Sequence, residues 1–155
     1  MSWLNAYSAP GAVSQAPWWF AGPPRRSAGV DVLLIEDDRD IAEMYRRRLA
    51  ADGLNVVIVG DAASGIAFLR QEAPGVVLLD IRLPDEDGFH VLQAVRSDPA
   101  LAAVPVLMLT NYGEPATVRR ALELGAAEYL VKSSTTPSEV SLRVRSYLQG
   151  RSGLQ

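Results

Sequence analysis

Val76-Val77-Leu78-Leu79-Asp80 is the stretch whose reading decides the fold. Four consecutive apolar residues, two of them β-branched, predict a strand buried on both faces. The run ends on a carboxylate. The loop Ile81-Arg82-Leu83-Pro84-Asp85-Glu86-Asp87-Gly88 follows, punctuated by Pro84 and Gly88, and an apolar-periodic segment starts at Phe89. A strand that delivers an Asp into the loop before a helix puts it at the carboxyl edge of a parallel sheet. That edge is where open α/β sheets hold ligands. A lone Asp there also serves as an ordinary cap or turn residue, so the rest of the chain has to decide.

Working outward, the same grammar repeats. Val30 to Ile35 is an apolar run broken only by Asp31, and it closes on Glu36-Asp37-Asp38. Asp38 or Asp40 can cap a helix to about Asp52, with Ile41, Met44, Tyr45 and Arg48-Leu49 at helical spacing and Gly53 as its stop. Leu54 to Val59 reads as a strand, and Asp61 caps a helix to about Glu72 that buries Ile66 and Leu69. Pro74-Gly75 leads into the quoted strand. Behind it, a helix from about Phe89 to Ser97 carries Val91, Leu92 and Val95 on one face. Val104 to Leu109 is a fourth strand ending on Thr110-Asn111, with Pro105 near its start, where a missing N–H is tolerated. A helix from about Pro115 to Leu124 stops at Gly125. Ala127 to Val131 is a short fifth strand ending on Lys132, and Pro137 opens a last helix to about Gln149. Five alternations of strand and helix predict an α/β fold with a parallel sheet and helices on both faces.

Composition narrows the chemistry. The 155 residues suffice for one domain with a real core. A net charge of −3 gives no basic footprint for nucleic acid, so no direct nucleic-acid partner is expected. The absence of cysteine excludes disulfides, thiolate catalysis and cysteine-bound zinc. One histidine, His90, excludes a multi-histidine metal site. No apolar run reaches the roughly 18 residues of a membrane span, and the N-terminus lacks a secretory pattern. Arg25-Arg26 is not followed by a hydrophobic stretch and does not read as a twin-arginine signal. The expected location is cytoplasmic.

Residues 1–29 differ from the rest. They are rich in Ala, Pro, Ser and Gly, and prolines interrupt any element. The expectation is a flexible tail before a domain at 30–150, with 151–155 as a C-terminal tail. Trp18-Trp19-Phe20 is the odd feature there. Three adjacent aromatics either dock on a surface, or are incidental, or precede the natural start of translation.

The strand ends deliver Glu36 and Asp37, then Asp80, Thr110 and Lys132. If the strands are parallel, all five emerge at one edge. Alone, each has a bland reading: acids cap helices, Thr suits strands and Lys is usually solvated. Together they have a chemical logic. Carboxylates held close repel unless a cation joins them, and an all-oxygen donor set suits Mg²⁺. Lys132 adds a compact charge for a phosphoryl oxygen and Thr110 a hydroxyl donor. This is equipment for phosphoryl transfer, where positioning and charge neutralisation dominate, with a carboxylate nucleophile giving an acyl phosphate.

These residues resemble the receiver domain of two-component response regulators. The likeness covers roughly Val30 to Gln149. It rests on Leu34-Ile35-Glu36-Asp37-Asp38, on Leu78 through Phe89, on Met108-Leu109-Thr110 and on Gly125-Ala126-Ala127-Glu128-Tyr129-Leu130-Val131-Lys132. It implies a three-layer α/β/α, flavodoxin-like (CheY-like) fold with five parallel strands in the order 2-1-3-4-5. It implies Asp80 as phosphoacceptor, Asp37 as direct Mg²⁺ ligand, Glu36 acting through water, and the backbone carbonyl of Arg82 as a further ligand. Lys132 would pair with the phosphoryl group, and Thr110 and Tyr129 would form a switch pair. Asp38 is either a third metal-site acid or a helix N-cap.

The resemblance also implies partners: a sensor histidine kinase or phosphotransfer protein upstream, and a downstream target protein or a second copy as a phosphorylation-dependent homodimer. With nothing after Gln155, the expectation is a stand-alone receiver, not an enzyme, signalling by contact through the fourth helix, fifth strand and fifth helix. Two departures matter. Ser133 follows Lys132 where the family usually has proline, and a cis bond before a non-proline residue costs about 2.5–4 kcal/mol, so a trans peptide is expected. Asn111 is larger than the residue usual after the threonine. His90 reads as a solvated surface residue. Other readings are an aspartate-nucleophile phosphohydrolase, a degenerate receiver acting as a constitutive scaffold, and a flavin- or mononucleotide-binding protein. The hydrolase lacks its second carboxylate where Arg82 stands, and the last lacks a Gly-rich loop after the first strand.

Overall fold

The computed structural model describes residues 29–111 and 113–153, the last three by backbone only. The expectation for the N-terminal tail therefore falls on residues outside the described ones, Gly29 excepted. Five strands, β1 (Val32–Ile35), β2 (Val56–Val59), β3 (Val76–Leu79), β4 (Val106–Thr110) and β5 (Glu128–Val131), alternate with five helices. The helices are α1 (Arg39–Ala51), α2 (Ala62–Gln71), α3 (Gly88–Ser97), α4 (Pro115–Glu123) and α5 (Pro137–Gly153). The sheet is parallel throughout, in the order β2-β1-β3-β4-β5.

Side-chain alternation along the strands divides the core in two. Leu33, Ile35, Val77, Leu79, Val106 and Met108 point to the face covered by α2, α3 and α4. Val32, Leu34, Val76, Leu78, Leu107 and Leu109 point to the face covered by α1 and α5. Strands β1, β3 and β4 are buried on both faces, which is why they read as unbroken apolar runs. Each fully buried Leu, Ile or Val contributes about 1.5–3 kcal/mol by leaving water.

Aspartates set three of the helix starts. Asp38 accepts from the backbone N–H groups of Asp40 and Ile41, Asp61 from Ser64, and Asp87 from His90. The two readings of Asp38 thus resolve to an N-cap. Pro115 occupies the first turn of α4. Helix α5 starts with a capping box: Thr136 Oγ1 accepts from the N–H of Glu139, and Glu139 Oε1 accepts from the N–H of Thr136.

Several positions correct the sequence reading. Met44 is exposed, because the buried stripe of α1 is Ala42, Tyr45 and Leu49, and Met44 lies a full 100° step away from Tyr45. On α4, helical spacing predicts Val118, Ala121 and Leu122 pointing inward, but Leu122 is exposed for the same reason beside buried Ala121. Strand β4 begins at Val106 and not at Val104. Pro105 has no N–H for the ladder, although its carbonyl still accepts from Val77. Helix α5 continues past Gln149 to Gly153, into the segment expected to be tail, because Gly150 does not take the left-handed conformation that Gly53 and Gly125 adopt. The Lys132–Ser133 peptide is trans, as the isomer penalty predicts, and Lys132–Ser134 form one turn of 3₁₀ helix.

Candidate functional site

Each of the five strand-end residues arrives at the carboxyl edge by register. Ile35 pairs with Leu79, so Glu36 and Asp80 leave β1 and β3 side by side. Leu79 pairs with Met108, and Thr110 lies two residues further along β4. Thr110 in turn pairs with Val131, the residue before Lys132. Met108 and Tyr129 are also paired and share the face of α2, α3 and α4. By alternation, buried Thr110 belongs to that face too, one register step above Tyr129.

The side chains converge. Lys132 Nζ donates to Glu36 Oε1 and, at 3.2 Å, to Asp80 Oδ2. Asp80 Oδ1 accepts from the backbone N–H of Arg82 at 3.2 Å, and Glu36 Oε2 from that of Asp38 at 3.2 Å. Glu36 and Asp80 are buried, whereas Asp37 is exposed. One oxygen from each of Glu36, Asp37 and Asp80 lies within 4.8 Å of the other two. Two members of the set are thus fixed by Lys132, and the third faces solvent at its rim.

The electrostatics follow from burial. Burial and the neighbouring Asp80 charge push Glu36 up to about 7, with Lys132 and the Asp38 N–H pulling the other way. Burial alone would lower Lys132, but its bond to Glu36 and the charge of Asp80 outweigh it and hold the ammonium above its ordinary value. Tyr129 is raised by burial and by the charges of Glu114 and Asp80. A buried carboxylate crowded upward by its neighbours is what a cation at this position would relieve. The donor set, all oxygen and partly open to water, fits a hard divalent ion.

Two supports were not visible in sequence. The carboxylate of Asp85 accepts from the N–H groups of Ala62 and Ala63, both at 2.9 Å, tying the loop behind Asp80 to the first turn of α2. Those bonds hold its carboxyl below the usual range. Gly88, which sequence reading treats as punctuation, lets α3 start against the backbone of Asp80 and Ile81, and its N–H donates to the Ile81 carbonyl at 2.6 Å. His90 is exposed beside Glu86 at 3.6 Å, as expected of a surface residue.

Comparison with known proteins matches this arrangement. Residues 32–145 match the model of the response regulator receiver domain, and the chain belongs to that family. It is 38% identical over 118 residues to a probable transcriptional regulator, ycf27, of Guillardia theta, covering 76% of this chain and 45% of that protein. The chain spans about half the length of the curated relatives it matches. A CheY-like receiver domain protein of Methanospirillum hungatei superposes with a TM-score of 0.74 at 24% identity, covering 81% of this chain and 98% of that one. That likeness shows the fold. The Mn²⁺-bound form of response regulator Rcp1 superposes with a TM-score of 0.65 at 28% identity over 76% of this chain and 90% of that one. The chain is therefore a receiver domain of two-component phosphorelay signalling, a regulator in class. No described helix is long and apolar enough to cross a membrane.

Proposed function

We propose that Asp80 is the phosphoacceptor, taking a phosphoryl group from a phosphohistidine of a sensor histidine kinase or phosphotransfer protein. The observation that carries this reading is the convergence of buried Asp80 with Lys132, Glu36 and Asp37 at one sheet edge. An Asp80 oxygen forms the new P–O bond as the P–N bond to the donor imidazole breaks and the imidazole keeps the nitrogen lone pair. The proton inventory closes on the donor ring, so Asp80 needs no general base. Lys132 moves its charge from the carboxylates to a phosphoryl oxygen, and the Thr110 hydroxyl donates to another.

Asp37 and Asp80, with the carbonyl of Arg82, would hold Mg²⁺, and Glu36 would act through a water ligand. When bound, the ion neutralises charge on the carboxylates and the phosphoryl oxygens. A Mn²⁺-bound response regulator of the same fold supports divalent-ion binding as a property of this class. Thr110 and Tyr129 act as the switch. Thr110 shifts toward the phosphoryl group, and Tyr129 packs into the space behind it, biasing the α4–β5–α5 face between two states. The output is contact with a downstream protein or a second copy. The reading as a regulator and not a phosphohydrolase is supported by Arg82, which stands where a general-acid carboxylate would be needed. Cytoplasmic placement follows from the donor class.

The test is phosphotransfer profiling against histidine kinases, with the labelled residue mapped. Label on Asp80 that requires Mg²⁺ supports the reading. Label mapped to any other residue overturns it.

A further inference from the structure

We propose that Asp85 is a positioning residue for the divalent cation, acting through the backbone of Arg82 and not by touching the ion. The inference rests on the cation reading given above and names what holds that site in shape. Asp85 lies five positions beyond Asp80, outside the carboxylates that gather at the sheet edge. Each of its oxygens is taken by one N–H of α2, Oδ1 by Ala62 and Oδ2 by Ala63, both at 2.9 Å.

A closed ring of bonds runs through that contact. The N–H of Asp80 donates to the Ile35 carbonyl at 3.1 Å, and the N–H of Glu36 to the Val59 carbonyl at 3.0 Å. Val59, Gly60 and Asp61 lead directly into Ala62, whose N–H reaches Asp85. From Asp85 the chain runs back to Arg82, whose N–H donates to Asp80 Oδ1 at 3.2 Å. Asp85 is the link in this ring that comes from a side chain outside the carboxylate cluster. The bridge between Arg82 and Asp87 and the bond from Gly88 to Ile81 close the base of the same loop, and the clamp on α2 lies at its tip. Helix α2 is a firm anchor. Ala62 is fully buried, and a Cβ at Gly65 would lie 2.5 Å from Ile35 Cδ1, so the first turn packs directly on the residue before Glu36. The N–H groups of a helix start also favour a carboxylate.

A site whose ligands are held before the ion arrives binds it more tightly. Groups that orient metal ligands directly are worth about 10–100-fold in affinity. Asp85 acts one step further out, so the expected effect is smaller. Linkage makes it reciprocal: a clamp that favours the cation is tightened by the cation to the same degree. The first turn of α2 therefore senses occupancy of the site, near the β2 edge of the sheet and away from β5.

The probe is Mn²⁺ alone, with its binding to the full chain read from the electron paramagnetic resonance of the free ion, without phosphorylation. Asp85→Ala should weaken binding several-fold. Asp85→Asn, which keeps one acceptor oxygen, should recover part of the loss, and it decides the matter if the alanine variant does not fold. Asp61→Ala is the control for helix damage. It removes the 2.7 Å bond from the Ser64 N–H that caps α2 and leaves the clamp in place. It should lower the melting temperature and leave Mn²⁺ binding unchanged. In the unsubstituted chain, amide exchange at Ala62 and Ala63 should slow when Mg²⁺ is added, and Asp85→Ala should abolish that response. Unchanged Mn²⁺ affinity in both Asp85 variants overturns the proposal. So does an equal loss in Asp61→Ala, which assigns the effect to fraying of α2. Failure of Mn²⁺ to bind the unsubstituted chain is a separate result, which overturns the cation reading itself and this proposal with it.

Discussion

A Cβ on Gly88 would lie 2.3 Å from the carbonyl oxygen of Asp80 and 3.0 Å from Cα of Ile81. Both obstacles are backbone, so neither can swing away. The first residue of α3 is therefore glycine for want of space, and the backbone behind the proposed phosphoacceptor is positioned by that approach. Gly88→Ala should lower stability by about 1–3 kcal/mol through overpacking and slow phosphorylation. Gly60→Ala, where nothing lies within 4 Å, is the matched control. Denaturant unfolding and labelling rate of the two variants check this.

Glu36 gives a pH dependence with a defined sign. Its ordinary value is 4.5, and burial raises it to about 7 in the fold. Between those values the folded chain keeps a proton that the unfolded chain has released. Stability of the cation-free protein should therefore fall as pH rises from about 4.5 to about 7. Glu36→Gln should flatten that slope. Mg²⁺ should reduce it as well, by favouring the ionised carboxylate. Unfolding midpoints across this pH range, with and without Mg²⁺, measure both effects.

Arg82 and Asn111 are exposed and flank Asp80 and Thr110. A large or charged side chain there blocks or orients the water that hydrolyses an acyl phosphate. Alanine at either position should change the decay rate of the phosphorylated protein several-fold. Tyr112, the next residue in the sequence, lies outside the described residues. Unchanged decay in both variants would remove the idea.

The proposed output face is redrawn by its ion pairs. Arg143 contacts Glu128 at 3.2 Å, joining α5 to β5. Arg145 lies 3.8 Å from Asp52 at the end of α1 and donates to the Ser141 hydroxyl, so it is engaged within the fold. The two arginines point to different neighbours. Arg143→Glu should therefore abolish phosphorylation-dependent association while Asp80 labelling persists. Arg145→Glu, which sets a carboxylate beside Asp52, should lower the melting temperature and leave association intact. Light scattering of the phosphorylated variants and thermal unfolding separate the two roles.

The site was legible because parallel strands carry their final residues to one edge. Glu36, Asp80 and Lys132 could be placed together from strand ends alone, and the structure brings them within bonding distance. What was hidden depends on approach in three dimensions. The bond from Ala62 to Asp85 spans 23 residues, and nothing in an exposed loop Asp announces it. The tight contact of Gly88 needs the packing angle of α3. Met44 and Leu122 were misjudged because helical spacing identifies a face only to within one residue. The Thr136-x-x-Glu139 capping box was readable and sharpens the start of α5 beyond Pro137 alone.

The central claim is that Asp80 carries the phosphoryl group, and intact-mass measurement after exposure to a small-molecule phosphodonor tests it most directly. The account predicts a single added phosphoryl group in the presence of Mg²⁺, suppressed by a chelator and absent from Asp80→Asn. Equal labelling of the Asp80→Asn protein would contradict it.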